Sequence, residues 1–383
     1  MRTNFLPKWL FPQRKRKTAE PWALSQSLFR FTRNDAFTIR NAVEGVVILG
    51  GTGGGKSSGS GHTINQAFLK AGFGGLVLCA KSDEAQMWQQ YAQEAGRADD
   101  LILFGPEHPW CFNFLSEELQ RKSRGGGDSE VIVQLLSTVA GVTKRDAGGG
   151  GQGDAKFWEE SSNLLLRKDV DLVAMAKGTI TIADIYDVLN SAPKSIEQSR
   201  SAEWQKNSSC YAYLKEAYQR SDDSGRQRDF QILDNYWMGT FPELAEKTRS
   251  ILVASITALI DMLNRNPLRQ LFCGETNITP RVMEGGKIIV VDLPVAQYAE
   301  NGKYAAAIWK LCTQRSLERR DMETSARPVF IWQDEAQHFV LETDMMFQTP
   351  CRSHRVSNVV MTQNVSNLYA VMGGGDKSKA IVD

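Results

Sequence analysis

The sequence predicts an α/β protein with a mostly parallel central sheet, interrupted by an all-α insertion. Three observations carry this. Early in the chain, short apolar runs closed by turn residues alternate with helix-period stretches, the pattern of strands joined by crossover helices. The same β signal returns after residue 285. Between the two regions, residues 121–245 show helical periodicity and no β-rich segment.

Residues 1–40 come first, and they are basic. Nine Lys/Arg stand against Glu20 and Asp35, a net +7, which leaves −6 for the rest because the whole chain carries +1. Such an arm suits a polyanion, either nucleic acid or an anionic membrane surface; a solvated terminus is the plainer alternative. A strand is expected over 45–49, a helix over 57–69, a strand over 76–79, a helix over 84–95 and a strand over 101–104. Glycine runs at 125–127 and 148–151 flank a helix over 131–142. They read as linkers, since no strand leads into either and no GK[ST] follows. Apolar residues then recur at helical spacing, at Leu164, Leu165, Leu166, Leu172, Val173, Ile185, Val188 and Leu189.

Strands return over 287–292, 329–334 and 357–363, with a long amphipathic stretch over 304–320. A further helix and strand are expected where the chain stops, so the sequence reads as a fragment truncated at its C-terminus. The domain plan is thus a basic arm (1–40), a discontinuous sheet domain (41–120 plus 246–383) and a helical domain (121–245).

Composition narrows the class. The chain has 383 residues, 42% hydrophobic and 23% charged, which excludes a disordered or collagen-like polymer. No apolar run approaches the ~18–20 residues of a membrane span, and the N-terminus has no signal-peptide pattern. Six scattered cysteines without CxxC spacing favour a reducing compartment and argue against structural zinc.

Residues Gly50, Gly51, Thr52, Gly53, Gly54, Gly55, Lys56 and Ser57 fit G-x-x-x-x-G-K-[ST] at every fixed position, between a strand and a helix. Glycines let successive backbone N–H groups turn inward around a β-phosphate at a helix N-terminus. Lys56 would reach the β- and γ-phosphates, Ser57 would ligate Mg²⁺, and Ser58 is counted with the nucleotide-binding residues. The cofactors expected are therefore ATP and Mg²⁺. Lys56 itself is taken for an exposed loop lysine.

A carboxylate at a neighbouring strand end must hold the metal shell. Asp334 ends its strand and is followed at once by Glu335, so Asp334 is assigned to the metal side and Glu335 to the general base. Asp292, with no second carboxylate beside it, reads as a loop-capping residue at the same sheet edge. Lys56 and Asp334 are 278 positions apart, a gap the helical insertion explains. Gln363 ends the next strand, where an amide can sense a γ-phosphate or orient water. Arg352 and Arg355 stand just before that strand; Arg352 is the candidate for a charge acting across a subunit boundary, with Arg355 as its fallback. His338 and His354 read as packing or solvent-exposed groups, and the scattered tryptophans as core or interface anchors.

Together these residues resemble the conjugative coupling ATPases of type IV secretion systems, of the TraG/TraD kind, and more distantly the FtsK and HerA DNA pumps. The matching pieces are residues 50–57, Lys156 to Glu160 with Leu164, Leu165, Leu166 and Arg167, residues 286–293, Asp334-Glu335-Ala336, and Arg352 eleven residues before Gln363. The resemblance implies a RecA-like P-loop NTPase domain carrying an all-α domain. It also implies a homo-hexamer that recruits a relaxase–single-stranded DNA complex and drives the DNA into a secretion channel, at the cytoplasmic face of the bacterial inner membrane. Family members usually begin with transmembrane helices and this sequence has none, so any membrane contact would be peripheral, through Trp9 to Phe11 beside Arg14 to Lys17. The competing functions are a HerA/FtsK-like duplex DNA pump and a non-pumping docking module for secreted substrates.

Overall fold

The computed structural model describes residues 21–51, 53–122, 127–144, 152–341 and 343–372. Thr52, the first half of the basic arm, most of both glycine runs and the C-terminal 11 residues lie outside that set.

The described part of the arm forms an antiparallel hairpin, β1 (Ser27–Arg30) and β2 (Ala36–Thr38). Its Phe29 and Phe37 rings stack, and Trp22 just before it lies under the Arg327 guanidinium. The central sheet then takes β3 (Val46–Leu49), β4 (Gly74–Leu78), β5 (Leu101–Phe104), β6 (Ile288–Val291), β7 (Val329–Gln333) and β8 (Val356–Thr362) in the order β3-β8-β7-β4-β6-β5. Every pairing is parallel. Six strands appear where six were expected, each within two residues of the sequence reading.

A parallel sheet has both faces covered, and its central strands are apolar throughout for that reason. Strand alternation divides them between two cores. Leu76, Leu78, Ile289, Val291, Val329 and Ile331 face the larger core. Val77, Val290, Phe330 and Trp332 face the other, beneath helices His62–Lys70 and Glu84–Glu94. On that side Trp88 stacks on Phe330 and meets Trp332 edge-on.

The described residues between β5 and β6 hold only helices, and these continue past 245, through Glu246–Asp261 to Leu268–Phe272. The larger core runs without a break from sheet residues such as Leu76 into helical ones such as Ile132, Leu172 and Trp237. The stretch over 304–320 corrects an expectation. It forms helix Glu300–Glu318, but this helix is not amphipathic: thirteen of its residues are buried. It is sandwiched between the sheet and helix Ser129–Lys144, which cover most of its length. Among the described residues, no helix is long and apolar enough to cross a membrane.

Candidate active site

All six parallel strands end at one edge, where open α/β sheets bind ligands. Four of the ends carry the candidate residues. β3 runs into the loop of residues 50–55. β8, beside it, ends at Gln363; β7, next, ends at Asp334 and Glu335; β4 follows and leads to Lys81 and Glu84.

The loop takes the conformation its glycines permit. Gly53 and Gly55 have φ of 72° and 76°, a left-handed region that a side chain disfavours. The helix expected from Ser57 instead opens as a π-helical turn, Lys56–Gly61, and becomes α-helical at His62. Lys56-Ser-Ser-Gly-Ser-Gly61 is poor in helix formers, and such wide turns often occur at functional sites. Lys56 is not an exposed loop lysine. It is only 9% exposed, and its ammonium donates to the carbonyls of Gly50 at 2.7 Å and Gly51 at 3.4 Å. Ser58 is exposed in the same turn.

Ser57 Oγ donates to Asp334 Oδ2 at 2.9 Å, across 277 residues of sequence. Asp334 is buried, and its Oδ1 accepts the backbone N–H of Glu335 at 2.9 Å. Glu335 itself has φ of 49°, uncommon for a residue with a side chain and costing roughly 1–3 kcal/mol where the surroundings enforce it. Gln337 donates to Glu335 Oε2 at 3.0 Å and accepts from Thr362 Oγ1 at 3.0 Å, linking the ends of β7 and β8.

Three participants escaped the sequence reading: Lys81, Glu84 and Gln337. Lys81 Nζ lies 2.9 Å from Asp334 Oδ2 and 3.5 Å from Glu335 Oε1. Burial works to lower its pKa, but the hydrogen bond and charge of Asp334 outweigh it and the pKa is raised. Burial, then the Asp334 charge, pushes Glu84 up to about 8, against the opposing Ala80 N–H bond. Lys81-Ser-Asp-Glu84 directly after an apolar strand was the available signal.

Asp292 stands at the same edge, 3.8 Å from His108 Nε2, with its pKa raised by burial and partly restored by that histidine. His338 is exposed, its pKa lowered by desolvation and then by the Lys303 charge, and His354 Nδ1 contacts the Pro350 carbonyl. Arg352 is not brought to this edge. It follows helix Asp344–Cys351, before the start of β8, 58% exposed and 3.8 Å from Glu44. Seven strand residues at ~3.3 Å each separate the two edges, roughly 20 Å. Arg355 is held in a structural role. Its guanidinium donates to the Trp22 and Ala326 carbonyls, which removes it as a fallback.

The donor set fits a Mg²⁺–nucleotide. Hard hydroxyl and carboxylate oxygens meet beside a loop backed by an ammonium, with no thiol or imidazole among them.

Fold and site geometry define a RecA-like P-loop NTPase fold. In particular, the chain is similar to the plasmid coupling protein TrwB. The TrwB complex with the non-hydrolysable GTP analogue GDPNP superposes with a TM-score of 0.61 at 13% identity, covering 93% of this chain and 72% of that one. TrwB with ADPNP gives 0.59 at 14% identity, over 92% and 72% of the two chains. TrwB with ADP and Mg²⁺ gives 0.60 at 14%, over 93% and 72%. No family model and no curated protein matches the sequence.

Proposed function

We propose that this chain is an ATPase of type IV secretion, a coupling protein that hydrolyses ATP to drive DNA translocation. The observation that carries the reading is the 2.9 Å contact between Ser57 and Asp334, which joins the phosphate-loop hydroxyl to the strand-end carboxylate. Similarity to TrwB, described as a bacterial conjugative coupling protein and known with bound nucleotides and Mg²⁺, supports it at the level of fold.

In this reading the N–H groups of residues 50–55 line the phosphates. Lys56 gives up its loop carbonyls to neutralise β/γ charge, and Ser57 with Asp334 holds the metal. Mg²⁺, when bound, would withdraw electron density from the phosphate oxygens. Glu335 takes the proton of the attacking water, and Gln363, at the end of the strand between loop and carboxylates, orients that water. Ser58, Thr52 and the loop glycines belong to the nucleotide pocket.

Single-stranded DNA with its relaxase, secretion-channel components and further copies in a hexamer are the partners this reading assigns. The helical domain, 121–245, would face the cargo. The basic arm would touch DNA or the cytoplasmic face of the inner membrane.

The test is ATP hydrolysis by purified protein with and without single-stranded DNA. Wild type should be stimulated by DNA. Glu335→Gln should retain nucleotide and lose turnover by about 10²–10⁴-fold, the usual worth of a general base. Wild-type turnover by Glu335→Gln would place the base elsewhere. Nucleotide binding without DNA-stimulated hydrolysis in the wild type would favour the docking module.

A further inference from the structure

Lys81 places an ammonium on the very oxygen that the proposed site reserves for a metal. Its Nζ donates to Asp334 Oδ2 at 2.9 Å, and Ser57 Oγ donates to the same oxygen at 2.9 Å. The same ammonium reaches Glu335 Oε1 at 3.5 Å. One cation thus spans both strand-end carboxylates. Glu84, from the same strand end as Lys81, lies 3.9 Å from it and is itself pinned by the Ala80 N–H at 2.7 Å. Lys81 is nevertheless 45% exposed, so its flexible stem can swing outward without disturbing the core.

We propose that Lys81 is a positioning residue, a tethered cation that aligns Asp334 and Glu335 before nucleotide arrives and surrenders Asp334 to the metal. The proposal rests on the nucleotide reading above. A metal ion and an ammonium repel each other strongly at contact distance, so they are alternatives at Asp334 Oδ2. Displaced from it, the ammonium keeps Glu335 as its partner and holds that carboxylate aimed at the same sheet edge. Lys81 therefore sets how much Mg²⁺ the site requires and keeps the base in place once the metal is bound.

The experiment follows binding of fluorescent ADP by the full chain as free Mg²⁺ is raised, with ATP turnover measured separately. Lys81→Met and Lys81→Gln remove the charge. Both should lower the Mg²⁺ concentration for half-maximal ADP binding by about tenfold or more and slow turnover. Lys81→Arg keeps the charge and should restore the wild-type Mg²⁺ requirement, a rescue that a merely space-filling role would not produce. An unchanged or higher Mg²⁺ requirement in both neutral variants, with wild type binding normally, overturns the Lys81 proposal alone. Wild type that binds no ADP at any Mg²⁺ concentration overturns the nucleotide reading, and the Lys81 proposal with it.

Discussion

At position 56 the ammonium has two loop carbonyls for partners and little access to water, so removing it leaves those carbonyls to the solvent at the loop's mouth. Lys56→Ala should therefore fold normally, with a melting temperature within a few degrees of wild type, and lose ATP turnover by at least about 10²-fold. Calorimetry and a hydrolysis assay check the two halves. Asp169 makes the opposite case. It is fully buried in helix Gln152–Lys177, and among the described residues neither carboxyl oxygen has a hydrogen-bond partner. Burial, then the charge of Asp184, raises its pKa well above the ordinary value. A carboxyl raised on folding contributes stability that is complete below its unfolded pKa, near ~4, and is lost as pH climbs through the folded value. Asp169→Asn should melt higher than wild type, and the gap should widen from pH 5 to pH 8. A gap that stays constant from pH 5 to pH 8 would show that Asp169 is already ionised in the folded protein.

Helix Glu300–Glu318 carries a buried polar network at its centre. Lys310 is 0% exposed; its ammonium donates to Gln333 Oε1 at 2.7 Å, the Phe339 carbonyl at 2.9 Å and Asp344 Oδ2 at 2.6 Å. Gln314 donates to the other Asp344 oxygen at 2.8 Å, and Gln333 donates to Asn358 Oδ1 at 2.8 Å. One lysine thereby ties together the core helix, the residue before Asp334, the helix that precedes Arg352, and β8. Lys310→Met should destabilise the protein by about 3–5 kcal/mol, because Asp344 is left buried without its cation. Adding Asp344→Leu should recover part of that loss, and urea unfolding of the single and double variants measures both. Since Gln333 neighbours Asp334, the single variant should also hydrolyse ATP more slowly.

At the scale of the whole molecule the two sheet edges divide the work. The proposed nucleotide residues crowd the C-terminal edge, while Arg352 stands exposed at the other, with only Glu44 as an ion-pair partner among the described residues. A solvated pair of this kind contributes at most about 1 kcal/mol, so stability alone gives Arg352 little purpose. In an assembled ring the free edge of one subunit can face the nucleotide of the next, where an arginine contributes ~10³–10⁵ in rate. Arg352→Ala and Lys56→Ala subunits, each inactive alone, should regain part of their DNA-stimulated turnover when mixed. Arg352→Ala protein that hydrolyses ATP normally as an assembled ring would confine Arg352 to its surface pair with Glu44.

Local rules alone were enough to find the glycine-rich turn between strand and helix, the six strands, and Asp334-Glu335 at a strand end. Glycine spacing, apolar runs and turn residues act over a few neighbouring positions, so a linear reading captures them. Lys81 and Glu84 stand at a strand end in the sequence, but nothing local ties them to Asp334, because that contact depends on β4 lying beside β7, a pairing that brings Lys81 and Asp334, 253 apart in sequence, within a hydrogen bond. Helix Glu300–Glu318 was misread for a related reason. Its Lys310, Gln314 and Arg315 mark a polar face in the sequence, yet they are satisfied by Asp344 and by the Val131 carbonyl of a packed neighbour rather than by water. The left-handed turn at Glu335 and the unexpected burial of Lys56 belong to the same class. Sequence determined which groups are available and which strand ends carry them; tertiary structure decided which charges meet, because Coulomb and hydrogen-bond energies depend on distance in space and the order of strands in the sheet sets that distance.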